Sequence, residues 1–246
     1  MARQNRDDLS KFLVHLTRDY DNASAQDNLV SILKARLIKA RNYHCLFKYD
    51  IDNVKLNFTA KLKGKFKTVC FTETPLPQIN NLTSKIQGRS IELKAYGLVF
   101  QKDFLIQEGA NPAIYINSKG TDLKTYLLSE FRSIFSKIRS YKKLIKAKKN
   151  HYDAIIQYFS LINIIDDNHD FSWEREWRYI GNLRFDYQNI VAIIAEEPDE
   201  FESYCKLKLN RKQFGYLKMI PIIAPDWGYE EIVEQMSIKI WNNAIS

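Results

Sequence analysis

The chain has few of the features that commit a protein to a compartment or to a common cofactor. It has only three cysteines, Cys45, Cys70 and Cys205, widely spaced and odd in number. That argues against a disulfide framework and fits a reducing cytoplasm. No apolar run approaches the roughly 20 residues a membrane helix needs. The opening MARQNRDDLSKF lacks the apolar stretch of a signal peptide, so the expectation is a cytoplasmic protein with no membrane partner. CxxC, HExxH, Walker-loop and GxGxxG patterns are absent, which leaves zinc, P-loop and Rossmann chemistry without a starting point. Neither an internal repeat nor a low-complexity tract is visible.

What is present is a globular composition: 246 residues, 45% apolar and 13% aromatic. That is enough for one sizeable core, taken as a single domain over 1–246. The net charge of +8 is concentrated. Between Lys119 and Asn150 ten Lys or Arg stand against two acids, Asp122 and Glu130, a surplus of eight that equals the excess of the whole chain. In the same region Leu127, Phe131, Ile134, Phe135, Ile138, Tyr141 and Ile145 recur every three or four residues. This predicts an amphipathic helix from Asp122 to about Lys148, with a second helix over 151–164, together a basic helical insertion at about 121–165. Its cations, Arg139, Lys142, Lys143, Lys146, Lys148 and Lys149, are candidates for neutralising nucleic-acid phosphates. The aromatics fall on the apolar face, so backbone binding without base readout is expected from this helix. An acidic partner protein docking on the same face is the competing reading.

Elsewhere the pattern is of strands. FLVHLTR (12–18) alternates, with Phe12, Val14 and Leu16 on one face and Leu13, His15 and Thr17 on the other. Asp27 is a candidate cap for a helix carrying Leu29, Ile32 and Leu33. Residues 54–67 alternate Lys with apolar residues around Gly64, a candidate exposed hairpin. TVCFTET (68–74), YGLVF (96–100), AIYI (113–116), 173–180, IVAIIA (190–195) and YLKMIPII (216–223) read as strands, and a helix is expected from about Tyr229 to Asn243. Strands, helical insertion, strands and final helix make an α+β fold with a mixed or mostly antiparallel sheet.

FSWEREWRYIG (Phe171 to Gly181) carries the most chemistry. On a regular strand Glu174, Glu176, Arg178 and Ile180 share one face, with Trp173, Arg175, Trp177 and Tyr179 on the other. Two carboxylates on one wall can have their pKa values pushed apart, which suits acid/base or electrostatic work. A structural ion ladder, with the glutamates paired to Arg178 or to a neighbouring strand, accounts for the same residues.

His15 on an early strand, FTET (71–74) in the middle and the ExE pair on a late strand resemble the three-part pattern of ADP-ribosyltransferases. LVHLTR followed by NLVSIL resembles the start of DNA-targeting ADP-ribosyltransferase toxins. The run CFTETPL, YGLVF, EGANPAIYI and EREWRYIG resembles abortive-infection proteins of the AbiG type. The resemblance spans most of the chain outside the basic insertion, and it implies an ADP-ribosyltransferase-like split sheet with flanking helices. It also implies NAD as co-substrate, with no metal. By the superfamily's pattern Glu176 faces the ribose and the oxocarbenium-like centre left when nicotinamide departs. Glu174 orients the nucleophile, and His15 holds the ribose. Thr17, Arg18, Thr72, Thr74 and Tyr96 complete the NAD site. Here the middle strand reads FTET, with Glu73 as an extra acid, where the superfamily has Ser-Thr-Ser.

The function expected on this basis is transfer of ADP-ribose from NAD to nucleic acid, RNA ahead of DNA, by a toxin or phage-defence effector. Four alternatives remain open: a non-catalytic antitoxin-like partner in an abortive-infection pair, an NAD glycohydrolase, a protein ADP-ribosyltransferase, and a metal-dependent nuclease using Glu174, Glu176 and the Asp166, Asp167, His169 and Asp170 loop. His44–Cys45 is a further possible metal pair. Alone, His15 reads more readily as a core histidine, and the Asp-rich loop as solvated.

Overall fold

The computed structural model describes residues 10–53, 56–85, 91–136, 149–166, 170 and 172–245. In chain order the first elements are β1 (Phe12–Leu16), α1 (Ala25–Ala35), β2 (Leu37–Ile38), α2 (Lys48–Asp52), α3 (Ala60–Gly64), β3 (Thr68–Thr72) and α4 (Asn80–Thr83). Next come β4 (Gly97–Gln101), α5 (Lys102–Glu108), β5 (Asn111–Pro112), β6 (Ile114–Asn117), α6 (Leu123–Ser136), α7 (Lys149–Leu161) and β7 (Ile162–Ile165). The last are β8 (Glu176–Ile180), β9 (Leu183–Arg184), β10 (Ile190–Ile194), α8 (Pro198–Lys208), α9 (Arg211–Lys218), β11 (Ile222–Ile223) and α10 (Tyr229–Ile245). The fold is α+β, with a mostly antiparallel seven-stranded sheet in the order β11-β10-β4-β1-β3-β8-β5 and two small two-stranded sheets. Contacts divide the chain into two compact units, each assembled from separate stretches of sequence. Strand β3 contributes Thr68–Cys70 to one unit and Phe71–Thr72 to the other.

The first unit comprises Met1–Leu37, Phe71–Glu108 and Arg184–Ser246. Its centre is β4, paired antiparallel to β1 from Phe12↔Gln101 to Leu16↔Gly97. On its other side β4 pairs with β10, with an irregularity between Ile190 and Ala192. One face of these strands packs Val14, Leu16, Val99, Ala192, Ile194 and Ile223 against Leu76, Ile79, Leu82 and Ile232. Leu13, Leu98, Phe100 and Ile193, of opposite parity, are equally buried. Both faces are therefore covered, which is why GLVF and IVAII are unbroken apolar runs. Helix α1 starts at Ser24, whose side chain accepts from the Asp27 amide, and it ends at Arg36 in the left-handed conformation. The cap is thus Ser24, with Asp27 in the first turn favouring the positive end of the helix dipole.

The second unit comprises Ile38–Cys70 and Gly109–Leu183. Its core is built from phenylalanine. Phe47, Phe58 and Phe66 meet Phe131 and Phe135 of α6 and Phe159 of α7. Phe47 and Phe131 stack at 4.5 Å, and Phe131 meets Phe159 edge-on at 5.2 Å, the geometries aromatic quadrupoles favour. The three- and four-residue period of α6 points Leu127, Phe131 and Phe135 inward. Strands β6 and β7 pair in parallel from Ile114↔Ile162 to Asn117↔Ile165.

Four further expectations are corrected. The described part of the expected hairpin, residues 56–67, does not turn back as strands around Gly64. Thr59 caps a short helix by accepting from the Leu62 amide, and Leu62 and Phe66, four apart, are buried together. The second helix of the insertion stops at Leu161, and Ile162–Ile165 leaves it as a strand. The segment 216–223 is mostly helical: a capping box between Asn210 and Gln213 starts α9, and only Ile222–Ile223 pairs with β10. The fourth is the strand at 173–180, taken up with the site below.

Candidate functional site

The ExE stretch is not one continuous strand. Ser172–Glu174 is a turn of 3₁₀ helix, Arg175 has a positive φ of 47°, and β8 begins at Glu176. Arg175 breaks the alternation, so Glu174 and Glu176 are not successive residues on one strand face. The two tryptophans are likewise separated: Trp173 is 46% exposed, whereas Trp177 is buried. From Glu176 onward the alternation holds, and it places Glu176 and Arg178 on the same face.

Arg178 uses that placement. Its Nε donates to Glu176 Oε1 at 3.0 Å and its Nη2 to Oε2 at 2.8 Å. Its Nη1 donates to the Ser160 carbonyl at 2.8 Å. Tyr115, from β6, donates its hydroxyl to Glu176 Oε2 at 2.9 Å, and the Cys70 thiol also hydrogen-bonds this carboxylate. The Arg178 side chain is 0% exposed and that of Glu176 12%. Burial pushes the Glu176 carboxyl pKa up, but the charge and hydrogen bonds of Arg178, with the Cys70 bond, outweigh it and hold the group below the usual carboxylate range. For Tyr115 burial comes first and the Glu176 charge second, and both push its hydroxyl up. Desolvation and then Glu176 do the same to Cys70. A carboxylate with both oxygens engaged and its proton affinity lowered is a poor general base. It is well suited to neutralising a buried guanidinium.

The ion-ladder reading of Glu176 with Arg178 describes this geometry. Sequence reasoning missed Tyr115, Cys70 and the Ser160 carbonyl as parts of the cluster. Tyr115 carried a usable signal, a polar tip within the apolar strand AIYI. The Ser160 carbonyl has no counterpart in any side-chain pattern.

The other residues expected to bind NAD lie in the first unit, and Glu174 and Glu176 lie in the second. His15 is half-buried, its ring 5.7 Å from that of Phe71 and tilted to it. Thr17 is buried, its hydroxyl 2.9 Å from both the Ala25 and Tyr96 carbonyls. It thereby ties the end of β1 to the start of α1. The Arg18 guanidinium lies over the Tyr20 ring at 5.5 Å. Thr72 and Thr74 are buried with their hydroxyls 2.8 Å apart. The Tyr96 ring packs against Phe201 at 5.8 Å. Glu73, the extra acid, is buried and accepts from Lys102 Nζ at 2.5 Å.

Of the basic block, Lys137, Arg139, Lys142, Lys143, Lys146 and Lys148 lie outside the described residues, as do Asp167 and His169 of the Asp-rich loop. Lys149 opens α7. Arg132, on α6, is committed to Asp50 through two hydrogen bonds of 2.9 and 3.1 Å. Cys45, next to His44, is buried, which pushes its thiol up to about 11. Among the described residues no three His, Cys, Asp or Glu side chains converge as a metal site would require. No helix among them is long and apolar enough to cross a membrane.

No curated protein and no solved structure matches the chain. A family match does cover residues 50–226, which include five of the six phenylalanines of the second unit's core, all but Phe47, with the Glu176–Arg178 strand and β10. It supports the abortive-infection side of the resemblance and does not extend to the ADP-ribosyltransferase superfamily. The chain belongs to the family described as "Putative abortive phage resistance protein AbiGi, antitoxin".

Proposed function

We propose that this protein is the non-catalytic, antitoxin-side component of an abortive-infection pair and works by binding a toxin protein. The observation that carries the reading is the family match over 50–226. The state of Glu176 is in keeping with it. The acid that would have to face a substrate is instead occupied by Arg178 and Tyr115, a role a binding module needs for stability and a catalyst would need to give up. The test is co-expression. Alone, the protein leaves growth of a bacterial host unchanged. With the toxin of its pair, it lifts the arrest and co-purifies with that toxin.

The second reading is ADP-ribosyl transfer from NAD to nucleic acid, with Glu176 and Glu174 as the acidic pair, His15 at the ribose and the basic segment holding the acceptor. It rests on the order of His15, Thr72, Thr74 and Glu176 along the chain. Radiolabelled NAD incubated with the protein and separate pools of RNA, DNA and protein tests it directly.

A further inference from the structure

The first unit contains a cavity of about 710 Å³ that neither reading uses. Its walls come from the end of α1, the loop before β10, and α9. The volume is in the range of small-molecule sites, roughly 300–1,000 Å³.

Two features of the lining point to one ligand chemistry. The first is a flat aromatic surface. Tyr187 is buried, and its hydroxyl is spent on the Leu33 carbonyl at 3.0 Å. Tyr216 stacks on it with ring centroids 5.4 Å apart and planes 20° apart, and remains 39% exposed. A rigid buried ring thus backs a half-exposed one that faces the cavity. The second is positive charge. Lys34, Arg36 and Lys212 line the cavity against a single acid, Asp186. Asp186 is paired with Arg36 at 2.6 Å. Lys34 and Lys212 are exposed, and among the described residues neither has an ion-pair partner. The amide side chains of Asn210 and Gln213 are spent on each other's backbone in the capping box, with Gln213 also donating to the Lys34 carbonyl at 3.1 Å. Gln188 supplies a further amide to the lining.

We infer that this cavity binds a nucleotide, the base stacking on Tyr216 and the phosphate held by Lys34 and Lys212. Aromatic stacking tolerates any base because every base has a π-face. Ammonium groups supply the complementary charge for phosphate. A lone aromatic with no cations would suit any apolar group, and cations alone would suit any anion. Their combination in one cavity selects a planar group joined to an anion. The same chemistry is offered by a free mononucleotide and by the end of a nucleic-acid strand.

The test is calorimetric titration of the full-length protein with the four ribonucleoside 5′-monophosphates. Adenosine, ribose 5-phosphate, a five-nucleotide RNA and poly-glutamate are titrated in parallel. At least one nucleotide or the RNA should bind. The nucleoside and the sugar phosphate should each bind at least about tenfold more weakly, because each keeps one half of the contact. Tyr216→Ala and Lys212→Glu, both at exposed positions, should each weaken binding about tenfold or more while thermal unfolding stays close to wild type. If Tyr216→Ala disturbs folding, Lys34→Glu with Lys212→Glu carries the test. Tighter binding of RNA than of any mononucleotide identifies a strand end as the source, and the reverse identifies the free nucleotide. The inference is overturned if no nucleotide or RNA binds at about 5 mM, if binding survives both variants, or if only poly-glutamate binds, which would make this a face for an acidic protein. None of these outcomes bears on growth rescue by the antitoxin reading, so the two fail separately.

Discussion

Arg178 reaches back along its own strand to hold Glu176 at two points, Nε to Oε1 at 3.0 Å and Nη2 to Oε2 at 2.8 Å. Removing one partner leaves the other charge buried. Arg178→Met should therefore cost about 3–5 kcal/mol of unfolding free energy. Glu176→Leu combined with Arg178→Met should recover much of that loss, since an apolar pair needs no compensation. Urea unfolding curves measure both, and a double variant as unstable as Arg178→Met would show that the pair is not the relevant unit.

The same pair sets an acid limit. The Glu176 carboxyl is held below its ordinary range, so its unfolded-state pKa, about 4.3 for a free Glu, is the higher of the two. Its contribution is then fully present above about pH 4.3 and is lost as pH falls through the folded-state value. Wild type should lose more stability between pH 7 and pH 3 than Glu176→Gln does. Asp27, lowered chiefly by its hydrogen bonds from Tyr204 and Ser24, leaves a residual slope in both. Identical urea midpoint slopes for the two proteins would contradict the assignment.

Phe131 touches Phe47, Phe58, Phe66, Phe135 and Phe159. Phe131→Ala should cost about 3–5 kcal/mol by opening a cavity in the second unit, with loss of near-ultraviolet circular dichroism. A cost under about 1 kcal/mol, the range of a surface change, would mean that the six rings do not form a packed core.

Gly97 faces the β1 backbone across the sheet, and a Cβ there would sit 2.6 Å from the His15 carbonyl oxygen. Gly97→Ala should destabilise by about 1–3 kcal/mol, because two paired strands must separate. Gly64 has nothing within 4 Å of the same added atom and lies at the end of α3. Gly64→Ala should be neutral or stabilising, by up to about 1 kcal/mol. Thermal melts of the two variants give the comparison.

The legible parts of the fold were those where one physical pattern governs a whole element. FLVHL, GLVF and IVAII are strands because both their faces are buried, and α6 follows its three- and four-residue period. The failures came where a backbone device overrides the side-chain pattern. EREWR places both glutamates at one strand parity in sequence, yet Arg175 in the left-handed region separates Glu174 from β8. Helices α8 and α9 have weak apolar faces, with Phe201, Cys205 and Leu217 the buried residues. Their end signals were nevertheless readable: Pro198 and two acids in the first turn of one, and the Asn210–Gln213 box of the other. At the site, the shared face of Glu176 and Arg178 followed from strand geometry. The contribution of Tyr115, 61 residues away in sequence, depends on the β6 position in the folded unit.

The central claim is that the protein neutralises a toxin without being one, and growth tests it most directly. Expressed alone in a bacterial host, the protein should leave the growth rate unchanged, and co-expressed with the toxin of its pair it should restore growth. Arrest by the protein alone, relieved by Glu176→Gln, would contradict the account and return Glu176 to the role of a catalytic acid.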